Sequence, residues 1–280
     1  MRLFASLLTA GSLATGLLSA TASATQISSF NPPGNYTPHQ WFVYSQQGNA
    51  TVSIDPAAPA GDPVGPGAGK ITTTSDNNDK AEVAVAGPYG TAGTIINNPT
   101  FSLSYSYYKQ DTGSSNAAAA PSIKLRFDNA STGGKVTLIY EPYYNNGLGS
   151  VPTNTWFTDT ITADSGLFES NGGFGSTNGF GGPPLKTLRQ WLATLTPDFT
   201  LANLSAVIIG EGSYNPSQVG YFDNVRISGT GADDNYDFEP AAMAAVPEPS
   251  TVLAGVLGGL FTLGYARRRR RRAATPDQTV

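Results

Sequence analysis

The chain has 280 residues, with 16 basic and 20 acidic side chains, no cysteine and one histidine, His39. The absence of cysteine excludes disulfides, thiol catalysis and thiolate metal sites, and a single imidazole excludes a histidine-rich metal centre. The formal net charge of −4 hides an uneven distribution. Arg2 and six consecutive arginines at 267–272 hold seven of the basic residues, and setting the two ends aside leaves 9 basic and 18 acidic residues, a net −9. An interior this acidic argues against nucleic acid as a partner and suits solubility, cation binding or contact with neutral sugars.

Met1-Arg2 is a short basic start, 3–18 is apolar and small, and Ala22-Ser23-Ala24 is a small-x-small sequence. This is the pattern of a secretory signal peptide over 1–24, with Ala22 and Ala24 marking the cleavage point and the mature chain beginning near Thr25.

Residues 25–228 then read as one β domain. Val52 and Ile54 suggest a first strand, and Val83 and Val85 a weak one. Phe101, Leu103, Tyr105 and Tyr107 alternate with Ser102, Ser104 and Ser106; Ile123, Leu125 and Phe127 alternate with Lys124 and Arg126; Val136, Leu138 and Tyr140 form a third face. This period of two predicts half-buried antiparallel strands. Residues 207–209 are a short apolar run, and Val219, Tyr221, Val225 and Ile227 suggest a final strand. Turns are expected at Asp128-Asn129, Gly133-Gly134 and Asn145-Asn146-Gly147. The Pro-, Ala- and Gly-dense stretch 56–69 and the Gly-rich stretch 170–184 read as loops. Leu185, Leu188, Trp191, Leu192 and Leu195 fall at helical spacing, and Thr196-Pro197 ends that run. The expected fold is an all-β antiparallel β-sandwich (jelly roll) with one short helix. Trp41, Trp156 and Trp191 are assigned to the core. Residues 229–245 read as an acidic linker.

At the far end Pro247-Glu248-Pro249 precedes an apolar run, 252–266, which carries no charge; then come Arg267, Arg268, Arg269, Arg270, Arg271 and Arg272. About 15 helical residues span roughly 22 Å. Thr251 and the stems of the first arginines extend that span toward a bilayer core, with the arginines on the cytoplasmic side as a stop. A buried core helix followed by a basic nucleic-acid patch is the competing reading, and Gly255, Gly258, Gly259 and Gly264 make a poor soluble helix.

These three parts, in this order, resemble the PEP-CTERM sorting domain, here 246–272 with a transmembrane helix at 251–266 and a cytoplasmic tail at 273–280. The resemblance implies recognition of Pro247, Glu248 and Pro249 by an integral-membrane exosortase and processing near that motif, in a Gram-negative exporter of exopolysaccharide. The implied localisation is export, anchoring to the inner membrane before processing, and then the cell surface or extracellular matrix.

Upstream, Leu201-Ala202-Asn203-Leu204 and Asp223-Asn224-Val225, with the preceding helix, resemble the laminin B (domain IV) type of galactose-binding-like jelly roll. That resemblance implies glycan or matrix binding. It also implies that Asp223 in the last strand helps hold a structural calcium ion through oxygen ligands. The alternative for Asp223 and Asn224 is a local turn or backbone cap. Asp76-Asn77-Asn78-Asp79 lacks the spacing of a calcium loop and reads as a solvated turn.

Ring faces stack on apolar sugar faces, so Tyr107-Tyr108 and Tyr143-Tyr144, each with one ring in and one out, offer Tyr108 and Tyr144 as glycan contacts; strand packing is the competing account. No catalytic residue is assigned, since no Gly-x-Ser-x-Gly elbow accompanies His39. Glu141, Glu169 and Glu211 are the acids available to the alternative of a secreted glycan-cleaving enzyme. The sequence thus reads as an exported, exosortase-sorted surface or exopolysaccharide-matrix protein, not an enzyme, with a structural or adhesive and glycan-binding role.

Overall fold

A computed structural model describes residues 24–147, 149–176 and 182–240. The signal peptide up to Ser23, the Pro-Glu-Pro motif, the apolar span and the arginine run lie outside them. Among the described residues no helix is long and apolar enough to cross a membrane.

In chain order the elements are β1 (Thr25–Gln26), β2 (Trp41–Gln47), β3 (Thr51–Asp55), β4 (Ala68–Thr72), β5 (Lys80–Ala86), α1 (Ala92–Asn97), β6 (Ser102–Lys109), β7 (Ser122–Asn129), β8 (Gly134–Tyr140), α2 (Pro142–Asn145), β9 (Trp156–Thr162), β10 (Phe168–Asn171), α3 (Leu188–Thr194), α4 (Pro197–Thr200), β11 (Asn203–Glu211), β12 (Val219–Ser228) and β13 (Asp234–Asp237). They form two sheets. One runs β10-β8-β7-β11-β5-β2, all antiparallel. The other is built on β12, which pairs β6 on one edge and both β4 and β13 on the other; β9, β3 and β1 extend it. Among the named strands of the described residues, only β1 and β13 pair in parallel.

The period-two alternation explains how the sheets meet. Leu103, Tyr105 and Tyr107 from β6 and Val83, Val85, Ile123, Leu125, Val207 and Ile209 from the other sheet turn inward into one core. With no disulfide to hold the chain, large rings do much of the filling. Trp41 stands edge-on to Tyr236 and Phe238, and Phe238 stands edge-on to Phe222. Thr187 starts α3 with a reciprocal capping box to Gln190, and the helix buries Leu188 and Trp191. Pro197 ends that helix and also opens α4, at a position where its missing N–H costs nothing.

Several expectations need correction. The expected single short helix, α3, is joined by three more, α1, α2 and α4. Residues 229–240 are not a linker: β13 pairs both β12 and β1, and Tyr236 and Phe238 are core residues. Its Asp and Asn side chains masked the strand, because the burial falls on two aromatic residues set two apart. Trp156 is half-buried, outside the main core, and its indole N–H donates to the Pro59 carbonyl at 3.0 Å. Strand β12, expected to be the last, does not keep one face. Its pairing with β6 shifts register between Asp223 and Arg226, where Asn224 takes a left-handed φ of 51°. The extra residue flips the alternation, so Val219 and Tyr221 pack outside with Tyr108 while Phe222, Val225 and Ile227 enter the core.

Candidate functional site

The outer face of the six-stranded sheet carries a cleft of about 650 Å³. Register lines its floor in rows. Phe42, Ala84, Ile208, Lys124, Ile139 and Glu169 pair in succession across all six strands. A second row runs Ala86, Ala206, Arg126, Thr137 and Asn171. The apolar start of both rows, Phe42, Ala84, Ala86 and Ala206, packs beside the cleft; the part that lines it begins at Ile208 and runs from basic Lys124 and Arg126 to acidic Glu169. Tyr44, Tyr143 and Tyr144 stand around it, and Tyr214 rises from the loop after β11 with 76% of its surface exposed.

The basic middle is already neutralised. Glu82, 3% exposed, takes ion pairs from both Lys124 and Lys80, the latter at 2.9 Å. Burial alone pushes the Glu82 carboxyl up, but the two ammonium groups outweigh it and hold it below its ordinary value. Burial likewise pushes Lys124 down, and Glu82 more than restores it. Arg126 is held by Asp128 at 3.2 Å and by the Tyr44 hydroxyl at 3.2 Å.

The acidic end is different. Glu141, at the end of β8 and the start of α2, is pushed up to about 7, first by burial and then by repulsion from Glu169, with Lys124 offsetting part. Burial also raises Glu169, against a hydrogen bond donated by the Gly182 N–H and the attraction of Lys124. Glu211 is 1% exposed, and burial pushes it up to about 8. Among the described residues its Oε1 has no hydrogen-bond partner, and it faces Gly220 of the other sheet. None of the three forms an ion pair among the described residues. Asn145 pins α2 beside them by donating to the Glu141 and Leu167 carbonyls and accepting the Leu167 N–H.

The structure therefore gathers Glu141, Glu169 and Glu211 around one cleft and sets Tyr144 on its rim. Tyr108 is placed elsewhere. It is 8% exposed, on the outer face of the other sheet, packed against Tyr221 and Trp156. Its assignment as a glycan contact is corrected by that burial: Trp156 covers the ring face a sugar would need. His39 pairs with Asp234 at 2.9 Å and does not line the cleft. Sequence reasoning missed Glu82, Tyr44 and Tyr214. The alternation around Lys124 and Arg126 already marked their shared outward face.

Asp223 sits in a second acidic group, beneath the loop between β3 and β4. Its Oδ1 accepts the Phe238 N–H at 2.8 Å, while its Oδ2 accepts no N–H or O–H among the described residues. Asp62, Asp237 and Glu239 each also present one buried oxygen that accepts no N–H or O–H among the described residues. Burial, then repulsion from Asp62 and Asp237, pushes Asp223 up to about 8, against hydrogen bonds from the Phe238 and Asn224 amides. Two facing carboxylates cannot both stay charged and unbonded. A proton taken up by one of them lets it donate to the other, and Asp62 and Asp223 are the pair so placed. The donor set is all oxygen, the chemistry calcium takes. Among the described residues no three such side chains stand ready to grip a metal ion, so a cation would have to draw them together.

No family model and no curated protein matches the chain. Among solved structures it is similar to the family 11 carbohydrate-binding module of Clostridium thermocellum in complex with a β-1,3-1,4-mixed-linked tetrasaccharide, at 14% identity, covering 72% of this chain and 91% of that one, with a TM-score of 0.39. It is also similar to the cellulose induced protein Cip1, at 15% identity, covering 68% of this chain and 90% of that one, with a TM-score of 0.37. A third is a β-1,2-glucanase from Parabacteroides distasonis, at 13% identity, covering 64% of this chain and 21% of that one, with a TM-score of 0.35. Superpositions this loose decide neither ligand nor activity.

Proposed function

We propose that the protein binds glycan in the cleft on its six-stranded sheet, as an exported structural or adhesive component of the cell surface or exopolysaccharide matrix. The observation that carries this reading is the composition of the cleft: a polar, charged floor of about 650 Å³ with tyrosines around it. A polyhydroxylated chain needs many donors and acceptors below it and ring faces beside it. The test is a glycan-binding screen on the purified protein, with and without calcium; silence across the screen would remove the reading.

A second reading is glycan cleavage, favoured by three carboxyl groups lining one cleft, two of them pushed up into the range where an acid holds its proton near neutrality. Product formation from exopolysaccharide, abolished by E141Q, E169Q or E211Q with retained folding, would favour cleavage over binding.

The delivery part of the proposal rests on the sequence. Pro247, Glu248 and Pro249 would be read by an exosortase, the 251–266 helix would hold the chain in the inner membrane, and Arg267–Arg272 would stop it. Deleting 247–272 should release the protein unsorted, and surface retention of that truncation would contradict it. Calcium at Asp223 completes the proposal as a structural ion. Asp62, Asp223, Asp237 and Glu239 would supply its oxygens, and binding would displace the proton that the raised Asp223 carboxyl holds.

A further inference from the structure

We infer that Lys109, a buried lysine of the sheet opposite the cleft, is a positioning residue for the glycan site: it fixes from behind the wall that two loops build along one side of the cleft. This rests on the glycan-binding reading and adds to it a residue that does not line the cleft.

Lys109 ends the inward-facing row of β6, after Leu103, Tyr105 and Tyr107, and is 1% exposed. Among the described residues it forms no ion pair. Its Nζ instead donates to two backbone carbonyls, that of Asn116 at 2.5 Å and that of Ala117 at 2.9 Å. Burial pulls Lys109 below the ordinary lysine range, against the attraction of Glu211 and Asp111. A charge kept at that depth costs stability, and an apolar side chain would fill the space without that cost. What the ammonium supplies is several N–H donors at the end of a long stem. They hold the loop before β7 with two carbonyls turned inward.

The same loop is held at further points from the far sheet. The Tyr105 hydroxyl donates to the Pro121 carbonyl at 3.0 Å. Gly220 lies opposite Lys109 in the β6–β12 pairing, and a Cβ there would sit 2.5 Å from Pro121 Cγ, so the missing side chain lets Pro121 seat against the sheet. Gln218, also 1% exposed, donates to the Asn116 carbonyl at 3.3 Å.

On its other side the loop presents Asn116 and residues 118–120 to the cleft. Asn116 Nδ2 donates to Asn215 Oδ1 at 3.1 Å, and Thr112 Oγ1 to the Ser217 carbonyl at 2.8 Å, which ties in the loop that carries Tyr214. The wall is thus a chain of contacts from Lys109 through Asn116 to Asn215, while neither Lys109 nor Tyr105 lines the cleft. A binding site keeps its geometry only when such supporting contacts lock the groups that face the ligand.

The test reads amide hydrogen exchange and glycan affinity on the full chain. In K109M, which keeps the bulk and removes the donors, amides at 116–120 and 212–217 should exchange about tenfold faster, the worth of roughly one hydrogen bond, while those of β6, β7 and β12 keep their rates. A panel of neutral hexasaccharides should then bind about tenfold more weakly. Y105F removes only the hydroxyl that holds Pro121 and should shift the same two loops in the same direction by less. Unchanged exchange in both loops overturns the inference, and so does unchanged affinity once the loops have loosened. If K109M loosens the strands as well, Y105F decides: rates at 116–120 equal to those of the unaltered protein overturn the inference. Silence of the whole panel on the unaltered protein removes the glycan-binding reading, and the exchange rates still decide whether Lys109 holds the wall.

Discussion

Glu82 reaches Lys124 across a whole strand: β11 lies between their strands, and the contact passes over Gly210. A Cβ at position 210 would sit 2.5 Å from Glu82 Cγ and 2.5 Å from the Ala81 carbonyl oxygen, so the missing side chain is what lets the bridge form. Removing one partner of a buried pair leaves the other charge stranded, which typically costs about 3–5 kcal/mol. E82Q strands buried Lys124 and should fall in that range by urea denaturation. K124M should cost less, because Lys80 still neutralises Glu82.

Asp223 gives the pH dependence its sign. Its folded-state value of about 8 lies well above the ordinary carboxyl range. The native state then holds the proton more tightly than the unfolded chain. This contribution to stability is complete at low pH and is lost as pH climbs from about 4 toward 8. Glu211 acts in the same direction. The melting temperature should be lower at pH 8 than at pH 5. D223N, whose amide can donate to Asp62 permanently, should flatten the slope in part. If calcium replaces that proton, adding it at pH 8 should raise the melting temperature of the unaltered protein and not of D223N; an identical melt in excess chelator would exclude the ion.

Two tyrosines that look alike in sequence should separate by experiment. Tyr144 is half-buried on a short helix at the cleft, so Y144A should weaken glycan binding about tenfold with little change in melting temperature. Tyr108 is enclosed by Tyr221 and Trp156, so Y108A should lower stability by roughly 3 kcal/mol. Parallel titrations and denaturation curves of the two variants check both.

Ending the chain after Ser228 removes β13 and with it Tyr236 and Phe238. The rings of Trp41 and Phe222 then lose edge-on partners, and β12 loses its neighbour along Val225–Ile227. Circular dichroism of that truncation should show no cooperative melt, whereas one ending after Pro240 should melt as the full domain does.

Strands with strict alternation, β6, β7 and β8, were legible because each has a polar and an apolar face. Strand β5 was faint because Ala81, Ala84 and Ala86 carry little hydrophobic weight, although it lies inside the sheet. The switch of face in β12 was invisible, since a one-residue bulge preserves composition and alters only parity. Glu141, Glu169 and Glu211 were visible as acids, but they sit just past β8, in β10 and in β11, strands whose order one sequence does not supply. Their meeting in one cleft is a property of register. Tyr108 failed for the complementary reason, because what covers it is Trp156, almost fifty residues away in the chain.

The parallel pairing of β1 with β13 sets Thr25 beside Tyr236 and Gln26 beside Asp237. Both ends of the folded body therefore leave from one corner, on the sheet that does not carry the cleft. A body fastened there is held like a pendant from a single clasp. The two ends and the open face lie on opposite sheets, so neither end of the body has to cross the floor on which Lys124 and Glu169 lie.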